Sequence, residues 1–588
     1  MKYQAVLSGA SVKLKMDVVP GSLVPFDAFR IIGTSLVFRN ERIGTTLSDA
    51  DLLDGYSFAV KNQNLCGCFD AQRRVFFADR YGGAGLLRNG GSGRCGYDGE
   101  FQIKGIGRTP LVGRGVASSY ADGVLALCDA IFEAAWGEIA NCILPFGAVR
   151  AVGIVGTAAT SLQRQGKAVA RGLLIREAAL RPAHFERAVY FTPSRHFLSL
   201  AQPHDARRTA DALSRLPGIL RHAFLAGSDL VGPRDLVING LVAFAERFAT
   251  QVAAAKAKRI MHGSLTSSNL ALDGRWLDFG ATTCLPLDGF GDNSDHLPFW
   301  HEPDTVMQGV QELLFYAEKY IDGFRPGGSQ AFNAMSSAYI ARLSTETRDR
   351  LLLLTGLPRA VLHWMPADNA HANTLAGLIA TMLHGGFKPP SDISDPVADS
   401  TVGAVCLILA RYFQDPSCES RIAPYVMGRV GQDVLLKTYL NFIDQAVAVA
   451  AHRGLSPTDL LTAIRINALR FSRYPYFMYR PKLLRQIEEC IGTSTCPESL
   501  RASVTRLLDT IHSLSGALLT DSEDLKLVLW SDEIESLRFN LETGEWQLAG
   551  AGTNTRFRTQ NLAFRIESSH TGRQLCRHFG PSFLEFIV

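Results

Sequence analysis

The hydrophobic period of the chain changes between residues 110 and 120, and this change restricts the folds it can adopt. Up to about residue 110, short apolar runs such as GTSLVF (33–38), RRVFFAD (73–79) and EFQIKGIG (100–107) are broken by Gly, Asp and Asn, which is the texture of strands and turns. From about 120 a helical spacing takes over: in YADGVLALCDAIFEAAWGEIANCIL (120–144), Leu127, Ile131, Ala135 and Ile139 recur every four residues and mark one buried helix face. A mixed stretch to about 200 precedes a largely helical body over 205–520, with DTVMQGVQELLFYAEKYI (304–321) and RLLDTIHSLSGALL (506–519) among its members. Strand texture returns in SLRFNLETGEWQLAG (536–550), whose alternation turns over at Thr543-Gly544. The expected fold class is therefore α+β. It comprises a β-rich N-terminal lobe over 1–118, a mainly helical and enlarged lobe over 119–523, and a small β appendage over 524–588. At 588 residues the chain exceeds what one ordinary core supports.

Composition narrows the function classes. Sixty basic against 56 acidic residues leave a formal charge of +4, and no Lys/Arg-rich stripe or aromatic-basic array points to nucleic acid. The N-terminus MKYQAVLSGASVKLKMDVVPG has no continuous apolar core of signal-peptide length, and no later run reaches the uninterrupted apolar length of a membrane span. The expectation is a cytoplasmic protein with no membrane partner. Eleven cysteines, scattered except for Cys66 and Cys68, suit free thiols better than a disulfide framework, and the Cys66–Cys68 spacing is too tight for a zinc knuckle.

Three stretches carry residue types suited to phosphate chemistry. Seven glycines lie between Gly82 and Gly96; Gly90, Gly91 and Gly93 with Arg94 form a candidate phosphate cradle, because a backbone without Cβ atoms lets N–H groups approach an anion. An isolated Gly-rich loop is more often plain surface, but here FQIK follows, a short strand that places Lys104 beside the loop. Such a lysine needs a carboxylate. Asp129 and Glu133 stand four apart on the next helix, where two like charges repel unless a cation sits near. In IMHGSLTSSNLALDGRWLDFGATTCL (260–285), Asn269 follows His262 by seven residues and Asp278 follows by nine more, joined through a turn at Asp273-Gly274. An Asn and an Asp-Phe-Gly aspartate in this order are the magnesium ligands of protein-kinase-like enzymes, whose β-rich lobe likewise precedes a helical one.

Taken together these residues resemble the selenoprotein-O family of pseudokinase-like protein adenylyltransferases. The resemblance rests on GSGRCG, KGIGRTP (104–110), Asp122-Gly123 with Glu133 eleven residues after Asp122, REAALRPAHFE (176–186) and HGSLTSSNLALDGRWLDFG (262–280), and spans roughly residues 78–290. It implies a protein-kinase-like two-lobed fold with its catalytic core at 260–285, and a transfer of AMP from ATP with magnesium. In that scheme Gly90, Gly91, Gly93 and Arg94 cradle phosphates, Lys104 is held by Glu133, Arg176 and Arg181 contact the distal phosphates, and Asn269 and Asp278 bind the metal. The stretch YGGAG…GGSGRCGY…KGIGRTPLVG is also similar to members of this family among microcin-maturation factors, which help to attach a group to the C-terminus of a precursor peptide.

One departure bears on the acceptor. Protein kinases place the base two residues after the histidine, at Ser264 here; the resembled family has an acid just before the asparagine, at Ser268 here. A serine hydroxyl does not remove a proton at neutral pH unaided. A peptide carboxylate needs no deprotonation, so the sequence suggests a protein or peptide acceptor activated at a carboxylate. Two alternatives stand beside it: a phosphotransferase, and a catalytically silent nucleotide-binding pseudokinase that scaffolds a partner enzyme.

Overall fold

The computed structural model describes residue 19 and residues 21–587 except 62–68, 87, 118–120, 165–166, 286–296, 323, 325–327, 385–400, 427–429, 474, 521–524, 551–552 and 581–582. Cys66 and Cys68 and the expected boundaries at 118/119 and 523/524 lie outside the described residues. The described cysteines are all free.

The strand-rich front of the chain builds an antiparallel eight-stranded sheet from β1 (Leu23–Ile31), β2 (Ser35–Arg39), β3 (Phe58–Ala59), β4 (Phe69–Asp79), β5 (Cys95–Tyr97), β6 (Phe101–Lys104), β7 (Ala151–Arg164) and β8 (Lys167–Glu177). Their order is β2-β7-β8-β6-β5-β4-β1-β3. The sheet therefore runs past residue 118, where the sequence reading placed its end. The pair β7–β8 fills the gap between β2 and β6 and buries Val152, Ile154, Val155, Leu173 and Ile175. Its alternation is hidden in the sequence because a strand buried on both faces reads as a nearly continuous apolar run.

Helix α1 (Asp49–Tyr56) starts at a Ser48 capping box. Helix α2 (Leu127–Ile143) carries the expected four-residue face, but that face is only part of its buried surface. Phe132, Trp136 and Glu138 on its other sides are buried as well. The reason lies in its neighbours: α2 packs on β7 and β8 and is covered from behind by a helix near the C-terminus (Pro497–Leu519). A buried charge cluster locks it there. Glu138 accepts from Arg150 Nε at 2.8 Å, Arg150 Nη2 at 2.7 Å and Asn40 Nδ2 at 2.7 Å.

In the helical body α3 (Gln202–Phe224) packs on α4 (Pro233–Ala257), with the rings of Phe224 and Phe244 6.1 Å apart. Next come the two-residue strands β9 (Ile260–Met261) and β10 (Thr283–Cys284), whose antiparallel pairing pinches the ends of the 262–282 loop together. Helix α5 (Leu297–Tyr320) packs on α4 and β9. Helix α6 (Gln432–His452) is long and apolar enough to span a membrane by length and composition, which the sequence reading had not expected of any segment. Its Leu435, Tyr439, Phe442, Ala446 and Ala450 are buried at helical spacing, as in a core helix. The Pro497–Leu519 helix, α7, contacts both α2 and the C-terminal strands. Those strands, β11 (Lys526–Ser531), β12 (Glu535–Asn540), β13 (Glu545–Gly550) and β14 (Thr553–Arg558), form an antiparallel meander with a turn at Thr543-Gly544. Short helices over Leu562–Ile566, His570–Phe579 and Phe583–Ile587 follow, so the expected β appendage is mixed, and Leu527, Leu529 and Trp530 share the core of the helical body.

Removing one partner of a buried ion pair strands the other in a medium of low polarity, at a cost of about 3–5 kcal/mol. Glu138→Gln is therefore expected to lower the unfolding free energy by roughly 3 kcal/mol, measured by urea denaturation. An effect within experimental error would show that the Arg150 pair does not hold α2.

Candidate functional site

The register of the central strands sets the site. In β6 the side chains of Gln102 and Lys104 lie on one face, since residues two apart along a strand share a face. Arg176 of β8 is paired directly opposite Gln102. Arg176 donates to Gln102 Oε1 from Nε at 2.8 Å and from Nη2 at 2.5 Å, and Gln102 donates in turn to Asp79 at the end of β4. Lys104 Nζ reaches both oxygens of Glu133 on α2, at 2.7 and 2.8 Å. Asp129, one helical turn earlier, is half-buried. Of the two carboxylates considered for the lysine, Glu133 is the one in contact.

Asp278 completes the cluster. Its Oδ1 accepts from Lys104 Nζ at 2.6 Å and Arg176 Nη1 at 2.8 Å, and its Oδ2 from Arg181 Nη1 at 3.0 Å. Arg181 also donates to the Ser268 carbonyl and lies over the Tyr81 ring, 5.0 Å from its centroid. All three cations are buried, whereas 19% of the Asp278 side chain remains exposed. Burial raises the Asp278 carboxyl, but Arg176, Lys104 and Arg181 outweigh it and hold the group well below the usual carboxylate range. Asp79 shows the opposite balance: burial pushes it up to about 6 against the pull of Arg181 and Arg176. Asp278 has φ +64°, and among the described residues Arg259 is the other non-glycine at positive φ. A strained conformation of this kind costs about 1–3 kcal/mol, and the three cations supply what holds it.

Asn269 stands beside Asp278 because Leu277 N–H donates to the Asn269 carbonyl at 3.2 Å. Its Nδ2 donates to the Ser264 carbonyl at 2.8 Å and to Ser264 Oγ at 3.2 Å, and its Oδ1 accepts from no described residue. Ser264 thus orders the asparagine. Ser268 Oγ lies 2.9 Å from Thr266 Oγ1, so both serines at the expected base positions are tied into the loop. His262 is buried, with Nε2 3.0 Å from the Leu277 carbonyl, and burial pushes it down to about 4. The turn at Asp273-Gly274 is present as a tight reversal: Arg275 bridges Asp273 at 2.9 Å and Glu177 of β8 at 2.8 Å, anchoring the loop to the sheet.

The Gly-rich stretch is placed differently from an open cradle. Gly91 (φ +140°) bridges Arg80, and a Cβ there would lie 2.0 Å from the Asp79 carbonyl. Gly90 packs on Phe191, and the Gly93 carbonyl accepts from Thr109 N–H at 3.1 Å. The glycines closest to the loop are earlier ones: a Cβ at Gly83 would meet Ser267 Oγ at 2.8 Å, and one at Gly85 would meet Thr266 Oγ1 at 2.7 Å and Ser268 Oγ at 2.9 Å. Arg94 is half-buried, and its side chain pairs with no carboxylate among the described residues. Sequence reasoning missed Asp79 and Gln102. The alternation in FQIK carried the signal for Gln102, since it shares the face of Lys104; Asp79 carried none.

No protein-family model matches the chain, and no curated protein matches it either. Among the described residues no group of three or more His, Cys, Asp or Glu could hold a metal ion. Asn269 Oδ1 and the Asp278 carboxylate are nevertheless oxygen donors of the kind magnesium takes, and magnesium commonly completes its shell from water and substrate phosphates. These two residues fit the ion provided that the cations release Asp278 to it.

Two expectations follow. Asp278→Asn leaves three buried cations with Glu133 and the more distant Asp79, so the variant should melt well below the parent chain. Added tripolyphosphate without magnesium should raise its melting temperature more than that of the parent, because the cations no longer have an aspartate to prefer. An equal response of the two proteins would refute the competition. The second concerns Glu302, which accepts from Gly263 N–H at 2.6 Å; burial pushes it up to about 8. Its folded value lies above its unfolded value near 4.5, so its contribution is complete below about pH 4.5 and is lost as pH rises through 8. Glu302→Gln should match the parent near pH 4.5 and melt higher than it above pH 8, a comparison thermal melts across pH will make.

Proposed function

We propose that this chain is a magnesium-dependent, ATP-using nucleotidyltransferase, protein-kinase-like in plan and similar to the selenoprotein-O family in chemistry. It transfers AMP to the C-terminal carboxylate of a peptide, as in microcin-type maturation. The observation that carries the reading is the convergence of Lys104, Arg176 and Arg181 on one carboxylate. The carboxylates in direct contact with these three buried cations are Glu133 and Asp278, and the buried Asp79 acts on Arg176 and Arg181 from farther away, so two guanidinium groups and an ammonium share one partly exposed carboxylate. A polyphosphate suits such a cluster, because guanidinium groups match phosphate oxygens in geometry.

On ATP binding the three cations move their hydrogen bonds from Asp278 to phosphate oxygens, which frees Asp278 to act with Asn269. Magnesium held by that pair would neutralise charge on the phosphates. A carboxylate oxygen of the acceptor then attacks the α-phosphorus, the bond from that phosphorus to the bridging oxygen breaks, and pyrophosphate leaves. No proton is removed from the nucleophile. This accords with Ser264 and Ser268 serving as hydrogen-bonding partners within the loop rather than as bases, and the chemistry rests on positioning and charge neutralisation.

The test uses ATP labelled at either the α- or the γ-phosphate, together with candidate peptides and hydroxylamine. The expected result is α-label in AMP, release of pyrophosphate and formation of a peptide hydroxamate, all lost in Lys104→Met. Transfer of γ-label would identify a phosphotransferase. ATP binding with no turnover of either label would identify a silent scaffold. An α-labelled adduct stable to hydroxylamine would place the acceptor at a Ser, Thr or Tyr hydroxyl.

A further inference from the structure

A second cavity adjoins the site. It has a volume of about 750 Å³ and is lined by Gly85, Leu86, Arg88, Asn89, Val116 and Tyr190 among others. Gly85 is also the glycine that lies against Thr266 and Ser268, and the Ser268 carbonyl accepts from Arg181, which contacts Asp278. Gly85 therefore links this cavity to the loop whose Ser268 carbonyl holds Arg181.

One arginine, Arg88, lines it. The segments that supply its lining residues, 80–97, 104–117 and 187–204, carry Arg80, Arg88, Arg94, Arg108, Arg114, Arg187 and Arg195 with Lys104, and Asp79, Asp98, Glu186 and Asp205 stand directly at their ends. Arg80 and Arg187 approach Asp205, at 3.5 and 3.6 Å. The other five arginines pair with no carboxylate among the described residues. Arg88 makes one weak internal contact, with the Gly115 carbonyl at 3.3 Å. The walls, in contrast, are apolar, and Tyr190 is 77% exposed at the rim.

Resting on the proposed function, we infer that this cavity is the docking site for the acceptor, and that the acceptor is a short peptide segment combining acidic and apolar side chains. Carboxylates of the segment pair with Arg88, and its apolar side chains cover Leu86, Val116 and Tyr190. The volume falls in the range that holds a ligand of drug-like size, so it fits a few residues of extended peptide rather than a folded surface. An exposed arginine with no carboxylate partner among the described residues, set beside apolar side chains, supplies both the attraction and the selectivity such a segment requires. A nucleic acid would find the same charge but only one exposed aromatic side chain on the cavity wall to stack on.

Binding can be measured without ATP, by fluorescence anisotropy of the full chain with a short labelled peptide of Glu, Leu and Gly. A copy with Gln for Glu and an oligonucleotide of matched charge serve as comparisons. The acidic peptide should bind at least about tenfold more tightly than the Gln copy, and more weakly as salt is added. Arg88→Glu should weaken it by about tenfold and Tyr190→Ala by several-fold, with melting temperature and ATP binding unchanged in both. Equal binding of the acidic and Gln peptides, tighter binding of the oligonucleotide, or indifference to Arg88→Glu would each overturn the inference. If ATP fails to bind while the peptide behaves as expected, the proposed function fails and the docking site stands; the reverse outcome removes the docking site alone.

Discussion

Asp278 is the common acceptor of three buried cations, and much of the local structure brings those cations to it. Lys104 and Arg176 come from adjacent strands, Arg181 from the turn after β8, and Asp278 from a loop whose ends are clamped by β9 and β10. Buried charges of this kind are costly to desolvate and are tolerated where every partner is in place. The left-handed backbone at Asp278 follows from the same requirement, since the carboxylate must present Oδ1 to two donors and Oδ2 to a third.

This arrangement also changes what a substitution at Asp278 can report. As a metal ligand alone, the residue could be replaced with little effect on the fold. As the common anion of three buried cations it is a structural element, so a loss of the proposed nucleotide binding after its removal would have two separable causes. Replacing Lys104 leaves Asp278 with both arginines and Glu133 within 4.0 Å of Arg176, so Lys104 is the cleaner place to test the proposed chemistry.

Much of the site was legible in the sequence because its residues sit next to recognisable punctuation. Lys104 precedes a glycine turn, Asp278 lies in an Asp-Phe-Gly stretch, and Arg176 and Arg181 flank a short loop. Glu133 was legible as one of two carboxylates at helical spacing, although spacing alone did not choose between it and Asp129. Less visible were the contacts that depend on strand order. Gln102 meets Arg176 because β6 pairs with β8, and those strands are more than sixty residues apart in the chain. The extent of the sheet was misjudged for the same reason. The glycines of 90–93 looked like an open cradle, since a sequence reveals where Cβ atoms are absent but not which neighbour occupies the space. Here it is the backbone of β4 and the ring of Phe191.

Helix α2 carries Glu133 toward the site and Glu138 toward Arg150 and Asn40, and it is enclosed by β7 and β8 on one side and α7 on another. A helix in this position has no solvent-lubricated face along which to slide. Any swing that withdrew Glu133 from Lys104 would have to break the Glu138 cluster and reopen the contact with α7 in the same movement. The ion pair at Lys104 is thus built as a permanent fixture.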